Sequence, residues 1–371
     1  MHKHDSYERK NWCFDMNIYD SNVYMEDVKK IAELDYKWDK LNGKRLAISG
    51  ATGMIGSFLV DVLMYRNENM NQDVTVFAFG RNEEKARKRF GKYFEDKHFV
   101  FVKQDINLPI KENVCDGRME YIIHAASNTH PVAYASDPIG TISANVIGTY
   151  NLLEWAAFAS CERFVFLSSV EIYGENKGDT DKFAEDYLGY IDCNTMRAGY
   201  PESKRTGEAL CQAYIKQKDL DVVIPRLSRC YGPTMLSSDT KALSQFINKG
   251  VKGEDIILKS EGTQLYSYAY MADAVSGIIK LMFDGDCGGA YNVVSDKSDI
   301  MLKDLSKIIA DYVGKKVIFE LPDETERAGY SKATKATLDS DKIKKTGWKS
   351  LFDIETGLHH TIDVLRSIYE H

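Results

Sequence analysis

Tyr200 and Lys204 stand at i and i+4, so a helix there places a phenol and an ammonium on one face, one turn apart. A free tyrosine titrates near ~10. An adjacent ammonium and a cationic cofactor ring both favour the phenolate, which makes Tyr200 a candidate base. Ser169 closes an apolar run at residues 164–167 and can share a substrate hydroxyl with Tyr200. Lys204 can also hold a cofactor ribose. The alternative, a surface tyrosine and lysine on an amphipathic helix, is weakened by a second motif upstream.

That motif is Gly50-Ala-Thr-Gly-Met-Ile-Gly56, between an apolar strand at 45–49 and a helical pattern at 55–65. Glycines at this spacing permit a tight turn, a close approach to a pyrophosphate and close helix packing. The first free N–H groups of the helix then meet the phosphate charge. Thr52, Met54 and Ile55 belong to the same loop. The motif predicts a bound nicotinamide dinucleotide.

The second strand, 74–79, ends in Gly80-Arg81-Asn82, without the carboxylate that accepts a ribose 2′-hydroxyl. Arg81 can instead meet a 2′-phosphate, so NADP is expected in preference to NAD. A solvated Arg81 on a basic stretch with Arg87, Lys88 and Arg89 is the competing reading. Asp105 and Ile106 follow a third strand, 99–103, and are placed to meet the adenine edge. Ala125, Ala126 and Ser127 follow a fourth, 121–124, and let the backbone approach the cofactor.

The elements that must hold these residues alternate. Helices are expected at 83–92, 145–160 and 200–216, with strands at 164–167 and 222–224. Short apolar strands between amphipathic helices predict an α/β fold, a doubly wound parallel sheet with the ligand crevice at the strands' carboxyl ends. Residues 43–225 read as the dinucleotide-binding domain and 226–371 as a smaller substrate-binding α/β part. The segment 263–297 carries a strand and helix that can return to the first domain. Residues 1–42 form an N-terminal extension, with a helical stripe at 24–41 that packs on the domain or a second subunit, or acts as a lid.

The chain has 371 residues, 44% hydrophobic and 28% charged, with a net charge of −7. No basic field exists for nucleic acid or an anionic membrane, and no apolar run reaches the ~20 residues of a spanning helix. The seven cysteines are dispersed, with no CxxC pair and no metal-ligand spacing, which suits reduced thiols. The polar N-terminus lacks a signal-peptide core. A cytoplasmic protein without a metal is expected.

With the further segments His124-Ala-Ala126, Asn145-Val-Ile-Gly-Thr149, Phe166-Leu-Ser-Ser-Val-Glu-Ile-Tyr-Gly174, Tyr200-Pro-Glu-Ser-Lys-Arg205, Arg226…Tyr231-Gly-Pro233 and Glu261-Gly-Thr-Gln264, the chain from about residue 43 onward resembles the extended short-chain dehydrogenase/reductase family. It is similar in particular to nucleotide-sugar epimerases, dehydratases and decarboxylases, with 125–154 and 200–208 most similar to UDP-glucuronate decarboxylases. The resemblance implies a Rossmann fold and a nucleotide-sugar substrate. It implies oxidation of the sugar C4 hydroxyl, chemistry on the ketone, and return of the hydride by a retained cofactor. Glu171 stands where decarboxylases and 4,6-dehydratases place a carboxylate near C5, although a purely structural carboxylate is the other reading. Val170 stands where dTDP-glucose dehydratases carry a proton-donating aspartate. Decarboxylation needs no such acid, so it ranks first, dehydration second and epimerisation third. GDP-mannose dehydratases, which share this Ser-x-Glu pattern and use NADP, keep dehydration open.

Two positions depart from the family. Tyr266 replaces a usual arginine after Gly-Thr-Gln, and Arg229 replaces the usual asparagine before Tyr-Gly-Pro. A diphosphate or a hexuronate carboxylate needs a cation, which Arg229 can supply from a shifted place, unless the substrate differs. Ser127, Glu171, Arg229 and Tyr266 are thus the substrate-binding candidates. Apolar faces on the helices 145–160 and 200–216 suggest a homodimer. A reading of another class, a catalytically silent dinucleotide-binding sensor or scaffold, is disfavoured because both Tyr200 and Lys204 are present.

Overall fold

The computed structural model describes residues 17–111, 114–115, 118–129, 136–236, 239–320 and 334–369. The first 16 residues of the extension lie outside them.

Alternation along the strands decides the layers. In β1 (Lys44–Ser49), Leu46 and Ile48 face one core while Ala47 faces another. In β2 (Val74–Gly80), Val76 and Ala78 go with the first core, and Phe77 and Phe79 with the second. A strand apolar on both faces must be covered on both faces. The sheet continues with β3 (Phe99–Lys103), β4 (Tyr121–His124), β5 (Arg163–Phe166), β6 (Ser168–Ser169) and β7 (Val222–Leu227). The chain then forms β8 (Arg229–Tyr231), β9 (Ile256–Leu258), β10 (Leu265–Tyr270) and β11 (Ala290–Val293).

The large sheet runs β11-β7-β5-β4-β1-β2-β3, with β6 also on β7, and every pairing is parallel. Its order reverses beside β1, where β2 lies on one side and β4 on the other, and this switch point is where such sheets hold ligands. The predicted doubly wound sheet is therefore present. The sequence ended the sixth strand at Ile224, before Pro225. The strand nonetheless runs to Leu227, with Pro225 beside Tyr291 of β11.

The helices are α1 (Asn22–Ala32), α2 (Met54–Asn69), α3 (Glu83–Phe90), α4 (Pro138–Phe158), α5 (Gly199–Lys218), α6 (Ala242–Val251) and α7 (Met271–Asp284). α1, α2 and α7 cover the first face of the sheet, while α4 and α5 pack together on the second. The last elements are β12 (Asp299–Met301), α8 (Leu302–Tyr312), β13 (Val317–Phe319), β14 (Lys335–Ala336), α9 (Asp341–Lys344) and α10 (Ile354–Tyr369). A small sheet, β12-β10-β14 with β8 beside β10, stands against the strands' carboxyl ends.

The stripe at 24–41 is not one helix. α1 stops at Ala32, and a separate short 3₁₀ turn covers Trp38–Leu41. The apolar period continues through Leu34 and Trp38, at i+3 and i+7 from Ile31, yet the chain leaves the helix after Ala32. The extension packs on the chain's own core. The Tyr19 and Tyr24 hydroxyls and the Arg89 guanidinium all meet Asp61 of α2. Asp27 of α1, 2% exposed, accepts bonds from the Tyr270 hydroxyl at 2.5 Å and from His360 Nδ1 of α10 at 3.0 Å.

Candidate active site

Gly50 has φ +69°, a left-handed conformation open to glycine, and a Cβ on it would lie 2.7 Å from Ala126 Cα. A Cβ on Gly56 would lie 2.4 Å from the Gly50 carbonyl oxygen. The turn is therefore close-packed, and α2 starts immediately above it with Gly53 as its N-cap. Its first N–H groups have no partner inside the helix and can meet a phosphate. The residues present fit a dinucleotide.

This turn forms one end of a cavity of about 650 Å³. Gly50, Gly53, Met54, Ile55 and Gly56 line it from the first crossover, and Ala125 and Ser127 from the end of β4. Ser169, Glu171, Tyr200, Lys204, Arg229 and Tyr266 line it as well. Ala126 holds the turn from behind, its N–H donating to Ser49 Oγ at 3.2 Å. Thr52, Arg81, Asp105 and Ile106 do not line the cavity. Asp105 Oδ1 accepts from the Asn107 N–H at 3.0 Å, and the buried Ile106 accepts from Asn151 Nδ2 through its carbonyl at 2.8 Å.

Tyr200 is buried at the start of α5, and Ser169 and Ser127 both hydrogen-bond its phenol. Burial pushes the phenol well above its ordinary value, opposed by the two serines and reinforced by the charge of Glu171. Ser127 is fixed by a chain of bonds: its hydroxyl donates to Asn145 Oδ1 at 2.7 Å, Asn145 Nδ2 donates to Ser203 Oγ at 2.9 Å, and Ser203 Oγ donates to the Tyr200 carbonyl at 2.8 Å. The Lys204 ammonium donates to the Leu167 carbonyl at 2.8 Å and lies 5.0 Å over the Phe166 ring. It is buried, and desolvation pushes it down to about 8. The serines and Glu171 shift the phenol, and the Lys204 ammonium lies one helical turn on from Tyr200, bonded to the Leu167 carbonyl.

Glu171 follows Ser169 in a short turn, Val170–Tyr173, whose first N–H bonds are capped by the Ser169 hydroxyl. Its Oε1 lies 3.3 Å from Arg229 Nη2, and the Arg229 guanidinium stacks 3.9 Å over the Tyr266 ring. Strand pairing explains this contact, because Arg229 on β8 lies opposite Tyr268 on β10, two residues from Tyr266. The two departures noted in sequence are thus one structural unit. Val170 is buried and offers only apolar atoms.

Sequence reasoning missed Arg197, Ser228, Thr240 and Lys241, which also line the cavity. They come from loops or strand ends with no periodic signal. Among the described residues, Ser228 Oγ, Arg229 Nη1, Thr240 Oγ1 and Gln264 Oε1 are buried without a hydrogen-bond partner, and all four residues line this cavity. Leaving such a group unpaired costs about 1–3 kcal/mol, so their concentration here marks where a polar ligand would bond.

At the end of β2, Arg81 is exposed and, with Lys85 of α3, makes no ion pair among the described residues. The neighbouring bases are all engaged: Arg87 with Glu83, Lys88 with Glu84, Arg89 with Asp61 and Lys92 with Glu68. Desolvation and the charge of Arg81 push the Lys85 ammonium down.

A glycine turn at the switch point of a parallel sheet, facing a buried tyrosine and lysine, is the construction of a nicotinamide-dinucleotide-dependent enzyme. The family model of the NAD dependent epimerase/dehydratase family matches residues 46–294, and the chain belongs to that family. Among curated proteins, it is 28% identical to UDP-glucuronic acid decarboxylase 2 of Arabidopsis thaliana, over 86% of this chain and 67% of that protein. It is 29% identical to UDP-glucuronic acid decarboxylase 3 of the same plant, over 85% and 86%. Its fold is similar to that of a Bacillus cereus UDP-glucuronic acid 4-epimerase solved with UDP-glucuronic acid and NAD, with TM-score 0.73 and 20% identity over 88% of this chain and 100% of the other. It is similar also to the Streptomyces venezuelae dTDP-glucose 4,6-dehydratase DesIV, with TM-score 0.73 and 23% identity over 87% and 97%.

Proposed function

We propose that the chain converts a UDP-glucuronate-like nucleotide sugar by oxidation at C4 followed by loss of the C6 carboxylate as carbon dioxide. The observation that carries this is the convergence of Ser169, Tyr200, Glu171 and Arg229 on one cavity that also holds the dinucleotide turn. Residues 43–225 supply the dinucleotide side and 226–371 most of the substrate side. The dinucleotide, when bound, accepts the C4 hydride and later returns it, so it is retained and there is no net oxidation.

Ser169 and Tyr200 hold the C4 hydroxyl, and Tyr200 takes its proton. Burial opposes phenolate, so the hydrogen bond from Ser169 and the positive ring of a bound dinucleotide must offset it. At the ketone stage the C5–C6 bond breaks. Its electron pair moves onto the C4 oxygen, where Ser169 and protonated Tyr200 stabilise the enolate. C5 takes its replacement proton from solvent water, and Glu171, two residues from Ser169, is the carboxylate that can relay it. Val170 offers no acid for a leaving hydroxyl, which disfavours dehydration, the second reading.

The unpaired Arg81 and Lys85 support NADP in preference to NAD, since both stand where a 2′-phosphate would lie. A stripe of exposed apolar residues on α4 supports a homodimer: Ile142, Ile147 and Tyr150 are 42%, 46% and 47% exposed. Among the described residues no helix is long and apolar enough to cross a membrane.

Incubation with UDP-glucuronate should release carbon dioxide and a nucleotide pentose, read by mass spectrometry. Tyr200→Phe should slow this by ~10² or more. Silence with UDP-glucuronate, together with activity on a neutral hexose nucleotide, would replace decarboxylation with dehydration or epimerisation. Turnover unchanged in Tyr200→Phe would remove the enzymatic mechanism altogether.

A further inference from the structure

We infer that Arg229 selects the substrate by its sugar carboxylate, sharing its guanidinium between that group and Glu171. The inference rests on the uronate reading above and assigns its specificity to one side chain. Three observations carry it.

Arg229 is half engaged. Nη2 lies 3.3 Å from Glu171 Oε1, while Nη1 is buried with no partner. A guanidinium has five N–H donors in a rigid fork and can serve two carboxylates at once. The face of the fork is fixed as well, stacked 3.9 Å over Tyr266. The guanidinium that carries the unused nitrogen is therefore held in place, and Arg229 is one of the residues lining the cavity.

Position along the sugar decides which anion it meets. Glu171 follows Ser169 by two residues, Ser169 bonds the Tyr200 phenol, and the charge of Glu171 reaches that phenol. With C4 at Tyr200, the neighbourhood of Glu171 is that of C5 and C6. The diphosphate hangs from C1, across the ring, away from the Glu171 neighbourhood, and Lys241 and Thr240 are further polar groups of the same cavity. Arg229 is thus at the uronate end of the sugar.

Charge supplies the third point. A carboxylate of the substrate beside Glu171 alone would be repelled, since like charges in a partly desolvated site cost free energy. An arginine between the two removes the penalty, and a neutral hexose would leave Nη1 unpaired. Sharing also keeps the hold on the substrate moderate, which suits a group whose charge departs with carbon dioxide.

The test is binding, in a Tyr200→Phe background loaded with dinucleotide so that substrate is not consumed. Calorimetry compares UDP-glucuronate, UDP-glucose and UDP. UDP-glucuronate should bind at least about tenfold more tightly than UDP-glucose. Adding Arg229→Gln should abolish that preference and leave UDP-glucose and UDP within about twofold. Adding Glu171→Gln instead should tighten UDP-glucuronate severalfold and leave UDP-glucose unchanged. Equal loss of all three ligands in Arg229→Gln would make Arg229 a diphosphate receptor or a structural residue and overturn the inference. So would a parent that does not discriminate, or a Glu171→Gln protein with unaltered uronate affinity. A uronate preference that depends on Arg229, without carbon dioxide release by the wild type, would refute decarboxylation and leave this inference standing.

Discussion

Arg81 and Lys85 differ from the other bases around α3 in having, among the described residues, no carboxylate to neutralise them. Charge left unpaired at the end of β2 has a use if a phosphate sits there. The double substitution Arg81→Gln, Lys85→Gln should weaken NADP by about 10²–10⁴-fold and leave NAD nearly unchanged, since charged hydrogen bonds are worth about 1.5–3 kcal/mol each. Fluorescence titration of the reduced dinucleotides checks this, and equal loss of both would remove the assignment. Arg81 was visible in sequence because a strand end announces it. Its isolation was not, because the partners that occupy Arg89 and Lys92 come from α2. The same rule runs through the site. Tyr200, Lys204 and Ser169 could be read because helical spacing or a strand end fixes each one, while Glu171 was legible only through the family resemblance. Arg197, Thr240 and Lys241 could not, because only tertiary packing brings them to the cavity. Arg229 and Tyr266 were noticed as separate oddities, and only the register of β8 on β10 makes them a stacked pair.

Among the elements, α1 has the clearest mechanical role. Its Asp27 joins Tyr270 at the end of β10 to His360 on α10, so the N-terminal extension ties the small sheet to the last helix. The hydrogen bond that His360 donates to Asp27 raises the His360 pKa above its ordinary 6.5, with desolvation and Lys30 opposing and Asp363 assisting. A histidine with a raised folded pKa contributes stability that is fully present below its unfolded value and lost as pH rises through the folded one. His360→Asn should therefore destabilise most near pH 6, and the gap in melting temperature from wild type should narrow by pH 9. A gap that does not depend on pH would mean His360 acts through packing alone. The extension's helix was legible from Val28, Ile31 and Ala32, but its end at Ala32 was not, because Leu34 and Trp38 are apolar and invited continuation. Trp38 is spoken for elsewhere: its indole N–H donates to the Leu34 carbonyl at 2.7 Å and its ring packs on Phe283.

At the scale of the molecule, the apolar stripe on α4 needs a cover. Ile147 is 46% exposed on a helix whose other face is locked against α5. Sedimentation should give the mass of a dimer, and Ile147→Glu should give a monomer, because a carboxylate in an apolar interface costs several kcal/mol. A dimer that survives this substitution would place the contact elsewhere. The doubly wound sheet was readable because helix and strand periods alternate without interruption to residue 224. The final strand of that sheet was harder to see, since the chain first builds β8, β9 and β10 on the other side of the cavity. That detour has a cost during synthesis. The open flank of β7 is a ready template for foreign strands until Ala290–Val293 emerges from the ribosome to occupy it. Completion of the nucleotide-binding half thus waits on a segment translated only after β8, β9 and β10, and fast closure of that flank limits the interval of exposure.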